Sequence, residues 1–172
     1  MYLQPLTKNN YKMKKTTTIA LLLSFAVFIT ACNNQVKYND TVVNLYENYT
    51  TQITDQFQKI ADEKIKKEDA LVIVAALEKK TDSCIGVMND LKPSDEAKDF
   101  HNKVTGVFSG VKTDYLPLAK QLAELKGTSD VDAYNKLVED MNKAEVKITT
   151  LESEAIAAQQ VYASKVGMQI KK

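Results

Sequence analysis

A single imidazole limits what this chain can catalyse. His101 is the only histidine in 172 residues, and Asp95, Glu96 and Asp99 stand just before it in "SDEAKDFHNK". Carboxylates beside an imidazole are the raw material of cation sites and proton transfer. The spacing speaks against both. Di-iron sites in helix bundles use a pair of Glu-x-x-His motifs, whereas Lys98 stands three residues before His101 and no second histidine exists. The acids follow Pro93 and Ser94, where first-turn carboxylates answer the positive end of a helix dipole. A structural zinc site needs four ligands, mostly Cys and His, and the chain has only two cysteines and one histidine. Nucleophile motifs of the Gly-x-Ser-x-Gly kind and Gly-rich phosphate loops are also missing. No catalytic residue, cofactor site or metal site is expected, and the chain reads as non-enzymatic.

The two cysteines, Cys32 and Cys84, carry the remaining reactive chemistry. Cys84 lies in "CIGVMNDL" at helical spacing from Leu77, Met88 and Leu91, which places it among apolar neighbours as a buried thiol; a redox or partner-linking role is the alternative. Cys32 closes "KKTTTIALLLSFAVFITAC". Its strongly apolar part, Ile19 to Ile29, is eleven residues long. A membrane-spanning helix needs about 20. A basic pair, a short apolar run and small residues before a cleavage point instead describe an export signal with its roughly 7 to 15 residue core. The tetrad Ile29-Thr30-Ala31-Cys32 resembles the lipobox of bacterial lipoproteins, with Thr at the second small position. That resemblance implies cleavage after Ala31 and a diacylglycerol on the Cys32 sulfur, often with a third acyl chain on the new amino group. An ordinary secreted protein cut nearby is the alternative. The stretch before Met13 adds nothing that such a signal needs, so translation is expected to start at Met13.

Acylation sets the address. Each buried methylene contributes about 0.8 kcal/mol, so two or three long chains anchor a protein without a transmembrane helix. The expected organisation is a signal peptide over 1–31, the lipidated cysteine and a short tether over 32–37, and one folded domain over 38–172. The cell envelope is the expected location, with the outer membrane favoured. The leader carries four lysines and no acids, which leaves 19 lysines against 22 acids in the mature chain, a net charge of −3. Arginine is absent from the whole sequence. Bidentate recognition of phosphates and base edges leans on arginine, so nucleic acid is not an expected partner.

Four stretches repeat apolar residues at steps of three and four. The first runs through Val42, Leu45, Tyr49, Ile53, Phe57 and Ile60; the second through Leu71, Val74, Leu77, Thr81, Cys84, Met88 and Leu91. The third joins Phe100, Val104, Val107, Val111, Tyr115, Leu118, Leu122 and Leu125. A fourth joins Tyr134, Leu137, Met141, Ala144, Ile148, Leu151, Ala155, Ala158 and Tyr162. Pro93 ends one helix, with Ser94 placed to cap the next. Gly127 is suited to a left-handed helix end, and Ser129 with Asp132 approximates a capping box. Between the first two stripes "ADEKIKKEDA" has neither Gly nor Pro, and the turn is placed at Lys66 to Asp69. The expected fold is all-α, an antiparallel up-down-up-down four-helix bundle. The last turns beyond Tyr162 are expected to fray or to lie along the membrane.

Helix three holds Gly106, Gly110 and then Pro117, whose ring clashes with the carbonyl four residues back and bends the helix. Gly106, Gly110, Tyr115 and Pro117 are therefore the candidate walls of a pocket; the alternative is that the glycines serve close packing. Tyr49, Tyr115, Tyr134 and Tyr162 take inward positions and need hydroxyl partners. The mature part is similar in length, leader and texture to uncharacterised helical surface lipoproteins of diderm bacteria, a similarity that carries over no functional residue except Cys32. The expectation is a lipid-anchored domain that binds a protein or envelope component, with a carrier of a small apolar or aromatic ligand as the alternative.

Overall fold

The computed structural model describes residues 33–169. Cys32, the expected signal peptide and the expected start at Met13 lie outside the described residues, as do Lys171 and Lys172. The elements are all helical: α1 (Asn33–Ala61), α2 (Lys67–Asp90), α3 (Lys98–Gly110), a π-helical turn (Val111–Tyr115), α4 (Leu116–Glu124) and α5 (Val131–Lys165). Since α3, the π turn and α4 follow without a break, the described residues form four helices. No helix is long and apolar enough to cross a membrane among the described residues.

The α2 stripe reads directly into the core. Val74, Leu77, Thr81, Cys84 and Met88 are all buried, and the Thr81 hydroxyl, with no access to water, donates to the Leu77 carbonyl one turn back at 2.8 Å. Cys84 is the buried apolar thiol that its neighbours predict, and burial pushes its pKa up. The α1 stripe is broader than its sequence pattern: Asn39, Val43 and Tyr46 are buried beside Val42, Tyr49, Ile53 and Ile60.

Three boundaries differ from expectation. The first turn falls at residues 62–66, not at Lys66 to Asp69, because the Asp62 carboxylate accepts from the Lys64 amide at 2.9 Å and closes a turn that needs neither Gly nor Pro. Ser94 begins a turn in which the Ala97 amide bonds to its carbonyl, so α3 starts one turn later, from Ala97. Asp130, not Ser129, caps α5 by accepting from the Ala133 amide at 2.9 Å. Gly127 does take the left-handed conformation, with φ of 78°. Residues 33–37, expected as a tether, are helical: Val36 packs on the core and the Gln35 carbonyl accepts from Tyr162 Oη at 3.0 Å.

The far end of α5 does not fray as expected. It closes at Lys165 in a Schellman motif, with Gly167 at φ 71°, the Met168 amide bonded to the Ala163 carbonyl at 2.8 Å and the Met168 side chain buried. At 1.5 Å per residue α5 is about 52 Å long.

Pro117 leaves a clear mark. Having no N–H, it cannot bond to Thr113, and one residue before it the Leu116 amide reaches five residues back to Val111. The extra residue in that turn shifts the buried positions that follow it by one. Leu116 and Ala119 are buried, while Tyr115 and Leu118, which an unbroken 3.6-residue period would point inward, are only half-buried. The two glycines of this helix diverge. A Cβ on Gly110 would stand 2.8 Å from Leu151 Cδ1 and 3.0 Å from Ile148 Cδ1 of α5, whereas one on Gly106 would meet nothing within 4 Å.

Gly106→Ala is therefore expected to stabilise the protein by about 0.5 to 1 kcal/mol through helix propensity alone. Gly110→Ala should fall at least about 0.5 kcal/mol short of that, because its methyl must displace Leu151 and Ile148. Urea denaturation of the two variants checks the difference; equal gains would remove Gly110 as the contact point of α3 and α5.

Candidate functional site

The seam between α1 and α5 concentrates the polar chemistry of the interior. No Cα of α1 comes within 8 Å of one in α5, so long side chains span the gap. Gln159 Nε2 donates to Asn39 Oδ1 at 2.9 Å, and these two amides are 1% and 2% exposed. Seven residues along α1, Tyr46 Oη donates to Glu152 Oε1 at 2.7 Å. Toward the start of α1 the Tyr162 hydroxyl holds the Gln35 carbonyl. Tyr38 sets its ring edge-on to Tyr162 at 6.2 Å, and Phe100 stacks on the same ring at 6.0 Å.

His101 belongs to this seam. Its Nδ1 lies 2.8 Å from Tyr38 Oη, and burial lowers its pKa, which favours the neutral ring. The acids before it go elsewhere: Asp95 pairs with Lys98 at 2.6 Å, and Glu96 bonds to Ser94. Among the described residues, no three His, Cys, Asp or Glu side chains converge on a point where a cation could sit.

A cavity of about 10 Å³ lies within the seam, lined by Val42, Tyr46, Phe100, Val104, Glu152 and Gln159 among others. That is the scale of one water molecule. Gly106, Gly110, Tyr115 and Pro117 do not line it. Gly110 faces α5, Pro117 is exposed, and the Tyr115 ring meets Phe57 edge-on at 4.6 Å while burial pushes its pKa up to about 12. Of the inward tyrosines, Tyr49 and Tyr162 are each 1% exposed, and Tyr49 Oη pairs with Thr81 Oγ1 at 2.9 Å.

Sequence reasoning missed Tyr38, Asn39, Tyr46, Glu152 and Gln159. The signal was present in spacing. Asn39 and Tyr46 stand seven apart on the Val42 face, and Glu152, Ala155, Gln159 and Tyr162 follow at three, four and three. Polar residue types hid it, because Asn, Glu and Gln on a helix are read first as solvated. Chemically the seam is a set of donors and acceptors already satisfied by each other. It holds α1 to α5 and α3, and it offers a neutral imidazole and a carboxyl group with little room beside them.

Two measurements follow. Asn39→Ala strands the Gln159 amide and should cost about 1 to 3 kcal/mol. Asn39→Leu combined with Gln159→Met should cost less than the alanine variant, since no buried amide is left unpaired; a larger loss for the pair would contradict this. For Glu152, burial raises the pKa above the ordinary 4.5 although the Tyr46 bond opposes it. The folded state then holds the proton more tightly than the unfolded one, so stability declines as pH rises from 4.5 through the folded value and stays lower above it. Glu152→Gln should remove that decline and be more stable than wild type at pH 8, with the two converging near pH 4, as read from urea midpoints. No family model matches this chain, and no curated protein or solved structure matches it either.

Proposed function

We propose that the chain is a lipid-anchored, non-enzymatic helical domain of a bacterial envelope, with the outer membrane favoured, which binds a protein or envelope component. The observation that carries this is how soon packed structure follows the cysteine of the lipobox-like tetrad. Three and four residues after Cys32, the Gln35 carbonyl is bonded to Tyr162 and Val36 packs on the core. Cleavage after Ala31 would leave both intact and set the acyl chains directly behind the bundle.

The proposed arrangement is up-down-up-down and antiparallel. Three bonds support it, since Gln35 pairs with Tyr162, Asn39 with Gln159 and Tyr46 with Glu152, in opposite order along α1 and α5. Connections of five to seven residues agree with it. The start of α1, the turn at 91–97 and the end of α5 then face the membrane. The loops at 62–66 and 125–130 stand farthest out, joined by Lys126 Nζ donating to the Asp62 carbonyl at 2.9 Å. A carrier of apolar ligands would need a cavity of about 300 Å³ or more, thirtyfold beyond the space in the seam. Among the described residues, a binding surface therefore fits better than binding in this cavity.

Cys32→Ser should abolish incorporation of a fatty-acid analogue and release the protein from the membrane fraction or leave its signal uncut. Equal labelling of the serine variant would sink the anchor.

A further inference from the structure

The outer face of α2 carries apolar surface that its own bundle does not use. Every residue from Ala70 to Leu77 is apolar, yet only Ala70, Val74 and Leu77 are buried. Val72 is 69% exposed, and Ala75 and Ala76 also face solvent. Glu68 and Lys79 bracket this patch. The steps from Glu68 to Val72, Ala75 and Lys79 are four, three and four residues, which align them along one face. Both charged side chains are exposed, and neither joins an ion pair among the described residues.

We propose that this face docks on the same face of a second copy of the chain, with the two α2 helices antiparallel about a two-fold axis. The charges select that partner and that direction. A register that sets Val72 against the partner's Ala75 also sets Glu68 against the partner's Lys79, because each charge stands four residues outside its apolar neighbour. Two-fold symmetry repeats both contacts. A parallel pairing in register would place Glu68 on Glu68 and Lys79 on Lys79, which repel. Alanines at 75 and 76 let the helix axes approach to about 8 Å. One helix face buries less than the roughly 1,200 Å² of a standard stable interface, so the association belongs to the weak, transient class. The pairing gives the binding role proposed above a partner, and its test does not depend on the anchor.

Carbodiimide coupling tests the contact directly, since it joins only amines and carboxylates that touch. Within one chain Glu68 and Lys79 are eleven residues apart, about 16 Å along α2, so a link between them comes only from two copies. The full chain is prepared with light and with heavy nitrogen, mixed in mild detergent, coupled, digested and read by mass spectrometry. Lys103 and Glu154, 2.7 Å apart, are the internal standard. The expected product is a Glu68–Lys79 link of mixed isotope. Val72→Asp, at an exposed position, should lower its yield roughly tenfold or more against the Lys103–Glu154 link. The Glu68→Lys, Lys79→Glu double variant should restore a link between positions 68 and 79. A strong Lys103–Glu154 link with none between Glu68 and Lys79, an unchanged yield in Val72→Asp, or no link in the double variant would each overturn the pairing. Loss of the pairing with fatty-acid labelling intact would leave the anchor standing and remove only the second copy as its partner.

Discussion

Close packing on one edge of this bundle forces distance on another. Gly110 has no side chain where Ile148 and Leu151 arrive, so α5 can settle against α3. With α5 drawn to that side, α1 stands apart from it by more than 8 Å between Cα atoms. Aliphatic side chains alone reach poorly across such a gap, and each bond that bridges it uses a long or ring-bearing side chain: Tyr46 with Glu152, Gln159 with Asn39, and Tyr162 with the Gln35 carbonyl. Each brings a polar atom into the interior, and each polar atom then needs a partner. The pairing of polar groups in the seam is thus a consequence of spacing.

Such pairs specify as well as hold. A buried amide costs little when bonded and about 1 to 3 kcal/mol when stranded. Sliding α5 by one turn would leave Asn39, Gln159, Tyr46 and Glu152 all without partners, whereas the apolar contacts of the core would be partly replaced by equivalents. Register is therefore set in the seam and bulk stability in the aliphatic core around Val74, Leu77, Val107 and Leu122. Glu152 and His101 pull stability in opposite directions with pH, because burial disfavours the ionised form of each.

Much of the fold was legible where a local rule meets no competitor. The α2 stripe from Val74 to Met88 needs only the 3.6-residue period, and it is buried as read. Pro117 announced a disturbance, but its form was not legible: the added residue of a π turn shifted the buried positions from Tyr115 and Leu118 to Leu116 and Ala119. The turn at Asp62 depends on one carboxylate bonded two residues ahead, a signal weaker than Gly or Pro. The candidate site was nearly invisible. It consists of Asn, Gln, Glu and Tyr residues whose burial is decided by which helix lies opposite, and a single helix's pattern does not contain that.

The proposed anchor and the proposed pairing constrain each other through the direction of α2. In an antiparallel bundle whose α1 starts at the lipid, α2 begins at the far end, so Glu68 to Lys79 occupies its outer half. Antiparallel docking of two such halves points the two Cys32 ends in opposite directions. From the two-fold axis near Ile73 and Val74 to Asp90 is about 25 Å of helix on each side, which separates the two anchor ends by about 50 Å. Copies rooted upright in one leaflet cannot meet this way, because the charges at 68 and 79 repel when the helices run parallel. Copies on two facing surfaces can, overlapping by their outer halves. If the proposed anchor sits on Cys32, a bundle with helix rather than tether over 33–37 would hold that outer half at a fixed height, and a short, weak contact gains most from being held in place.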